Sequence, residues 1–211
     1  MKIKIFVIKT LFILGMMSGT HVYAASKDSL LSDWDQRRVV AWRDLISGNQ
    51  NKSNLDKISS VNTFVNQIQY VEDIQEWGKK DYWATPSEFI KRNAGDCEDF
   101  AIAKYFTLIE MGIPESQLRI AYVYSKKMKQ AHMVLYYYPA QGKQALVLDN
   151  LSEKIQPASD RQDLMPVYSF NKKGLWLINK GGSTRFVGSS KRLSLWQDML
   201  KRRPLGALAS L

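Results

Sequence analysis

The chain has 211 residues, of which 45% are hydrophobic and 24% are charged, and these are ordinary values for a globular protein. They exclude a disordered tail, a collagen-like repeat and a bundle of membrane-spanning helices. The length gives room for one domain of about 150–200 residues with a hydrophobic core. The single cysteine excludes an intramolecular disulfide framework and a cysteine-based zinc cluster. The formal net charge is +10, but no nucleic-acid-binding motif accompanies it, so no nucleic-acid partner is expected.

The N-terminal segment has the pattern of an export signal. Its first nine residues carry three lysines and no acidic residue, a short apolar stretch follows, and Val22 and Ala24 satisfy the small-residue rule for cleavage. We expect a signal peptide over residues 1–24, cleaved after Ala24, and a single domain over residues 25–211. An uncleaved membrane anchor is the alternative, although the apolar stretch is shorter than the roughly 20 residues that a membrane span requires.

Apolar spacing and capping residues predict helices in the first half of the chain. They are expected over residues 32–48, 54–70, 86–93 and 97–111. Thr85 and Glu88 have the spacing of a capping box at the start of the third helix, and a proline occupies its first position. Gly112 ends the fourth helix, which is mostly apolar and therefore expected to be central.

Strands are predicted in the second half, where apolar and polar residues alternate. They are expected over residues 118–125, 131–138, 144–150, 175–179 and 185–187. A turn signal over residues 139–142 joins the second and third of these strands. A last helix is expected to open at Ser194, with Gln197 at the capping-box position. Helices followed by an antiparallel meander predict the α+β class.

A histidine and an aspartate are expected to meet across the predicted hairpin. If Tyr138 pairs with Lys143, His132 lies directly opposite Asp149, and their Cβ atoms are then about 4.5–5.5 Å apart. At that distance the carboxylate can accept a hydrogen bond from the imidazole Nδ1–H and fix the ring's tautomer. A polar pair on a solvated sheet face is the alternative interpretation.

The only cysteine, Cys97, is predicted at the first turn of the central helix. There the helix dipole and free backbone N–H groups stabilise a thiolate, and the Cys97 N–H can serve an oxyanion. Gly95 allows a tight bend and the close approach of a substrate. A nearby imidazole would make the thiol an active nucleophile at neutral pH. A buried, inert thiol is the alternative.

Three acidic residues flank this thiol, and their negative charge raises a thiol pKa. They are Asp96, Glu98 and Asp99. Charge and position alone favour helix N-terminal capping as their role. A hard cation with oxygen ligands, such as Ca²⁺, would also explain them, although the spacing contains no EF-hand pattern.

The motifs around these residues resemble the bacterial transglutaminase-like cysteine proteinases. The resemblance covers about residues 30–180, in the family's order. The segments that carry it are Asp81-Tyr82-Trp83-Ala84-Thr85-Pro86, Gly95-Asp96-Cys97-Glu98-Asp99-Phe100-Ala101, Lys104-Tyr105, Leu118-Arg119, Tyr122-Val123, Ala131-His132-Met133-Val134-Leu135 and Leu148-Asp149-Asn150.

The resemblance implies a papain-like, transglutaminase-type core, in which the nucleophile opens a central helix packed on an antiparallel sheet. It implies Cys97 as nucleophile, His132 as base and Asp149 as the residue that orients the histidine. It also implies dependence on Ca²⁺, with Asp96 and Glu98 as ligands. Asp99 is a further candidate ligand. The resemblance thus favours calcium binding over helix capping as the role of these acidic residues.

Within the family, the chain is similar to periplasmic proteases that cleave the N-terminal region of a large surface adhesin at a di-alanine site. That cleavage releases the adhesin and disperses a biofilm. The periplasmic domain of an inner-membrane cyclic-di-GMP receptor holds such proteases inactive. Trp83 is then either a wall of the substrate groove or a core residue. The role of the basic run at residues 201–203 stays open.

Two other functions stay open at this point. A transglutaminase or amidase would carry out acyl transfer on the same three residues, with an amine in place of water for the transglutaminase. A non-catalytic periplasmic binding module would leave Cys97 idle. A thiol oxidoreductase is disfavoured, because no second cysteine exists to resolve a mixed disulfide.

Overall fold

A computed structural model describes residues 27–139, 143–179 and 182–203, with side chains from residue 35 onward. The predicted signal peptide and its cleavage site lie outside the described residues, as does most of the predicted turn at residues 139–142. None of the helices in the described ranges has both the length and the apolar character needed to cross a membrane.

Six α-helices occur in the described residues. They are α1 (Lys27–Asn49), α2 (Asn54–Val65), α3 (Asp73–Glu76), α4 (Pro86–Arg92), α5 (Cys97–Glu110) and α6 (Ser194–Arg202). Three short 3₁₀ turns cover Glu115–Gln117, Ala158–Asp160 and Ser190–Arg192. The capping box of α4 is confirmed, because Thr85 accepts from the Glu88 amide while the Glu88 carboxylate accepts from the Thr85 amide.

Nine strands form two sheets in the same ranges. They are β1 (Gln69–Tyr70), β2 (Ala94–Gly95), β3 (Leu118–Ser125), β4 (Gln130–Tyr137), β5 (Leu146–Leu148), β6 (Gln156–Pro157), β7 (Leu164–Phe170), β8 (Leu175–Ile178) and β9 (Thr184–Gly188). The large antiparallel sheet has the order β6-β5-β4-β3-β7-β8-β9, and β1 and β2 pair in parallel beside it. The α+β class is therefore confirmed.

The predicted meander is wrong in one respect, because β7 returns to pair with β3 on the side opposite β4. The sequence did not predict β7, since Pro166 lies in the middle of it and proline is disfavoured in a central strand. The structure accommodates Pro166 at an irregularity in the pairing between β3 and β7, where the register shifts between Tyr122 and Val123.

Several predicted helix boundaries are also wrong. The helix predicted to reach Tyr70 ends at Val65, and residues 69–70 pair instead with β2. The helix α1 begins at Lys27, ahead of the predicted Ser32. Leu193 occupies the N-cap of α6 and makes no side-chain hydrogen bond, so the expected capping box at Ser194 does not form.

The core fixes α5 along its length against the large sheet. Ten consecutive residues of α5, from Asp99 to Leu108, are buried. Trp42 of α1 is fully buried and donates its indole N–H to Thr107 Oγ1 of α5 at 2.9 Å. Because α5 is held this firmly by α1 and the sheet, its first residue has a fixed position.

Gly95 is required by the packing of this chain on itself. A Cβ added there would lie 2.5 Å from Asp99 Oδ2 and 2.6 Å from Phe89 Cδ2, and both of those side chains are buried. Contacts this short force buried groups to move. The groups that lie close to Gly95 in the structure are therefore the chain's own side chains, Asp99 and Phe89.

We expect Gly95→Ala to lower the free energy of unfolding by about 1–3 kcal/mol through overpacking. Gly48→Ala is the matched control, because Gly48 lies in α1 with nothing within 4 Å of the added Cβ. That variant should gain about 0.5–1 kcal/mol, since alanine favours helix more than glycine does. Urea unfolding measures both, and equal stability of the two variants would contradict the packing argument.

Candidate active site

A cleft of about 700 Å³ opens at the N-terminus of α5. Both Cys97 and His132 line it, so the predicted nucleophile and the predicted base share one solvent-accessible space. Its other lining residues include the aromatic Trp83, Tyr122 and Tyr168, the acidic Asp73, Asp96 and Glu98, and residues 192–195 before and within α6.

His132 and Asp149 are in direct contact. The imidazole Nε2 lies 2.8 Å from Asp149 Oδ1, and the side chains are 3% and 0% exposed. The predicted register is wrong by two residues, because Leu148 pairs with Leu135, whereas the predicted register places Leu148 opposite Met133. A shift of two residues keeps each side chain on its face of the sheet, so the pair still meets diagonally.

The predicted nitrogen is also wrong. Because Nε2 is the atom on Asp149, the Nδ1 atom of His132 is left for the cleft side.

Asp149 is held by groups that the sequence did not predict. The Leu151 amide donates to Oδ1 at 2.9 Å, and Arg161 Nη2 donates to Oδ2 at 2.7 Å. Asn66, just after α2, donates its side-chain N–H to the Asp149 carbonyl at 2.9 Å. Burial alone would raise the pKa of Asp149, but the contacts with His132, Leu151 and Arg161 outweigh burial and lower that pKa to about 2.

Cys97 is the first residue of α5 and is partly exposed. Its thiol donates to Glu98 Oε2 at 3.1 Å. Burial and the charges of Glu98 and Asp96 raise the pKa of the Cys97 thiol well above its ordinary value, and the Met133 amide opposes them. The expected conflict between the thiol and its acidic neighbours is therefore present in the structure.

The acidic residues form a cluster that fits a cation. Oxygen atoms of Asp73, Asp96 and Glu98 lie within 4.8 Å of one another. Asp73 Oδ1 and Asp96 Oδ1 are buried and have no hydrogen-bond partner. Burial, partly opposed by the Tyr82 amide, and the charge of Glu98 raise the pKa of Asp73 to about 6. Unpartnered, crowded carboxylate oxygens are the ligands that a hard divalent cation satisfies.

Capping does not explain Asp96, because it lies at the N-cap of α5 without making a side-chain hydrogen bond to the helix. Asp99 does not belong to the cluster. It is fully buried, and its Oδ1 accepts from the Ala84 amide at 2.7 Å. Asp73, rather than Asp99, is thus the third acidic residue of the group.

The position of Asp73 depends on pairing between distant residues. The parallel bridge of Tyr70 with Gly95, extended by the hydrogen bond from the Val71 amide to the Gly95 carbonyl at 2.9 Å, brings the start of α3 beside the start of α5. No local pattern in the sequence signals this contact, since 22 residues lie between Asp73 and Asp96.

Comparison with known proteins identifies the family. The family model described as bacterial transglutaminase-like cysteine proteinase BTLCP matches residues 39–177. The chain belongs to this family. No match is found among curated protein sequences.

Solved structures of LapG from Legionella pneumophila are similar to this cysteine proteinase. The EGTA-treated LapG structure has 44% sequence identity, with 82% of this chain and 93% of that chain covered and a TM-score of 0.72. The calcium-bound LapG structure has 43% identity, with 84% and 97% covered and a TM-score of 0.72. The fold is therefore of the transglutaminase-like cysteine protease type, and the chain is a cysteine protease.

Trp83 of the proteinase is a core residue that also lines the cleft. It lines the cleft, yet it is only 7% exposed and stacks on Phe170 with a centroid separation of 5.8 Å. Arg202 of α6 supports it, because its Nη2 donates to the Trp83 carbonyl at 2.6 Å while Nη1 contacts Glu88 Oε2 at 2.6 Å. Within the basic run at residues 201–203, Arg202 therefore holds the cleft wall from behind.

Proposed function

We propose that the chain is a calcium-dependent periplasmic cysteine endopeptidase with Cys97, His132 and Asp149 as its catalytic residues. Its proposed substrate is the N-terminal region of a large surface adhesin, cut at a di-alanine site, so that the adhesin is released and biofilm attachment is controlled. The observation that carries the proposal is the shared cleft of Cys97 and the Asp149-bound His132, in a chain 44% identical to LapG.

In the acylation step, the Cys97 sulfur attacks the peptide carbonyl carbon and the C–N bond breaks. His132 carries the thiol proton on Nδ1 and donates it to the leaving amine. The Cys97 N–H, which has no partner inside α5 because it is in the first turn, faces the developing oxyanion. The products of this step are a free amine and a thioester.

In the deacylation step, His132 takes a proton from water through the same nitrogen, and the hydroxide attacks the thioester. The carboxylic acid leaves, and the proton returns to the Cys97 sulfur. Asp149 stays ionised throughout and holds Nε2–H, so the ring keeps one orientation in both steps. The low pKa of Asp149 supports this role.

Asp73, Asp96 and Glu98 are the proposed calcium ligands. Bound calcium would supply positive charge that offsets the field of these carboxylates beside the Cys97 sulfur. The existence of calcium-bound and EGTA-treated forms of LapG supports calcium as the ion. The unpartnered oxygens of Asp73 and Asp96 support it from this chain.

The periplasmic location rests on the proposed signal peptide at residues 1–24 and a single exported domain at residues 25–211. The proposed inhibitor is the periplasmic domain of an inner-membrane cyclic-di-GMP receptor. The aromatic side chains along the cleft, Trp83, Tyr122 and Tyr168, favour a protein substrate with small residues at the scissile bond, because bulky side chains already fill the walls.

Without calcium, we expect the free energy of unfolding to fall as pH rises from about 4.5 to 7. The pKa of Asp73 is raised to about 6 in the folded chain. An unfolded carboxyl has a pKa near 4, so over this window the folded state binds the extra proton and loses stability as it is removed. Urea unfolding at several pH values measures the slope.

Saturating calcium should reverse that slope, since the ion replaces the protons. The variant Asp73→Asn should flatten the calcium-free slope, because its amide does not titrate. An identical slope in Asp73→Asn and the parent chain would contradict the assignment of the slope to this cluster.

The proposed function is tested by a gel assay with purified protein and the N-terminal fragment of the host's largest adhesin. The assay has lanes with calcium, with EGTA, and with Cys97→Ala. We expect two fragments only in the lane with the parent chain and calcium. Cleavage that persists in EGTA would remove the calcium assignment.

Incorporation of a labelled amine into the same fragment tests acyl transfer to an amine. Incorporation without hydrolysis would replace the endopeptidase assignment by a transglutaminase. Absence of both reactions in calcium would contradict the proposed substrate.

A further inference from the structure

The two oxygens of the Asp149 carboxylate have separate partners. Oδ1 accepts from the Leu151 amide at 2.9 Å and contacts His132 Nε2 at 2.8 Å. Oδ2 contacts Arg161 Nη2 at 2.7 Å. The orientation of the carboxylate is therefore fixed from the side facing away from the histidine.

Arg161 is itself held in place. Its Nε donates to Asp163 Oδ1 at 2.9 Å, and its Nη2 donates to Asp163 Oδ2 at 2.8 Å. This is a two-point contact between the planar guanidinium and a carboxylate, which restricts the guanidinium more than a single contact would. Arg161 is only 8% exposed and lies between the 3₁₀ turn at Ala158–Asp160 and β7.

We propose that Arg161 is a positioning residue of this protease, which keeps the Asp149 carboxylate ionised and directs its Oδ1 at His132. Asp163 anchors the guanidinium for that purpose. The inference rests on the roles proposed above for His132 and Asp149. With it, a chain of four contacting side chains, His132, Asp149, Arg161 and Asp163, runs from the cleft to the surface beside β7.

The charge balance around Asp149 shows why Arg161 is needed. Asp149 is almost completely buried, and a buried carboxylate without a cation is costly. Lys104 of α5 is the other buried cation whose charge acts on Asp149, but burial lowers the pKa of Lys104 to about 7. Lys104 therefore supplies less than a full positive charge at neutral pH. Arg161 stays charged and contacts the carboxylate directly.

The first test measures kcat and KM for cleavage of the adhesin fragment in calcium. Arg161→Ala should lower kcat about 100-fold, because His132 loses its fixed orientation, with KM changed less than about threefold. Arg161→Lys should recover only part of the loss, since an ammonium cannot hold Asp149 and Asp163 in the same fork geometry.

Added guanidinium chloride at millimolar, non-denaturing concentration should raise kcat of Arg161→Ala. Arg203→Ala is the matched control, because Arg203 is another largely buried arginine, paired with Glu110 at 3.0 Å and outside this network. It should keep the parent kcat and show no rescue. An Arg161→Ala kcat within twofold of the parent value, or equal effects of guanidinium on both variants, would overturn the inference.

The second test observes the imidazole ring of His132 directly by NMR. In the proposed mature chain, residues 25–211, His132 is the only histidine, so its ring gives a single set of imidazole ¹⁵N NMR signals. With Arg161 in place we expect the Nε2-bound proton to be protected from exchange and shifted downfield by Asp149. Arg161→Ala should remove that protection, and an unchanged signal would overturn the inference.

A milder variant keeps the inference testable if Arg161→Ala does not fold. Asp163→Asn keeps Arg161 but weakens its anchor, and it should lower kcat about 5- to 10-fold with the same loss of imidazole protection. In an Asp149→Asn background the further loss on Asp163→Asn should disappear, because residues acting in one network are not additive. Full additivity would overturn the inference.

Failure of this inference differs from failure of the proposed function. If Cys97→Ala cleaves the adhesin fragment like the parent chain, the catalytic assignment itself fails. If Cys97→Ala is inactive while the Arg161 and Asp163 variants keep full kcat and an unchanged imidazole signal, only the positioning role fails.

Discussion

Replacing Cys97 with alanine is expected to abolish peptide cleavage, with a loss of at least about 10⁴-fold in kcat. Cys97 is the only thiol in the chain, so no other residue can form the thioester. The side chain is partly exposed at the first position of α5, and the alanine fits there without overpacking. The free energy of unfolding should therefore change little, and calcium binding should persist.

The measurement is the initial rate of adhesin-fragment cleavage in calcium, together with urea unfolding to show that the fold is intact. Cys97→Ser is the comparison variant, because it keeps the size of the side chain but replaces the thiol with a hydroxyl of much higher pKa. It should be nearly as inactive as the alanine variant. A Cys97→Ala rate near that of the parent chain would remove Cys97 from the mechanism.

Removing one acidic residue of the cluster should have the second-largest effect. Glu98→Gln and Asp73→Asn are each expected to weaken calcium binding by more than 10-fold and to reduce cleavage at limiting calcium accordingly. Each variant removes a proposed charged oxygen ligand from a group whose oxygens lie within 4.8 Å of one another. Glu98→Gln also takes away the carboxylate that accepts from the Cys97 thiol.

Isothermal titration with calcium measures the affinity, and cleavage rates across a calcium series measure the consequence. Glu72→Gln is the matched control, because Glu72 precedes Asp73 and lines the same cleft but lies outside the cluster. Its calcium affinity should stay within about twofold of the parent value. Equal affinities for Glu72→Gln, Asp73→Asn and Glu98→Gln would contradict the assigned ligands.

The sequence predicts the central elements well because their signals are local. The strand predicted over residues 118–125 is the observed β3, and the predicted helix 97–111 differs from α5 by one residue at its end. Both have long apolar patterns, and the helix has a clear stop signal at Gly112. By contrast, β1 and β2 have two residues each, which is too short for a periodic pattern.

The site is predictable only as far as its motifs are local. Asp96 and Glu98 flank Cys97 in the sequence, and the His132 and Asp149 contact follows from a hairpin whose side-chain faces tolerate a two-residue register error. Asp73 and Arg161 come from distant segments, placed by the β1 and β2 bridge and by the loop before β7. Local patterns in a single sequence do not predict such long-range pairing.

The rate of Cys97 alkylation by iodoacetamide, measured against pH with and without calcium, tests the central claim most directly. It needs no knowledge of the substrate, and every adduct reports on one site, since the chain has a single cysteine. With calcium we predict rapid alkylation at neutral pH that His132→Ala abolishes. Without calcium we predict slow alkylation that rises only at alkaline pH, because burial and the Glu98 and Asp96 charges raise the pKa of the Cys97 thiol. The account would be contradicted if the alkylation rate had the same pH profile with calcium, without calcium and in His132→Ala.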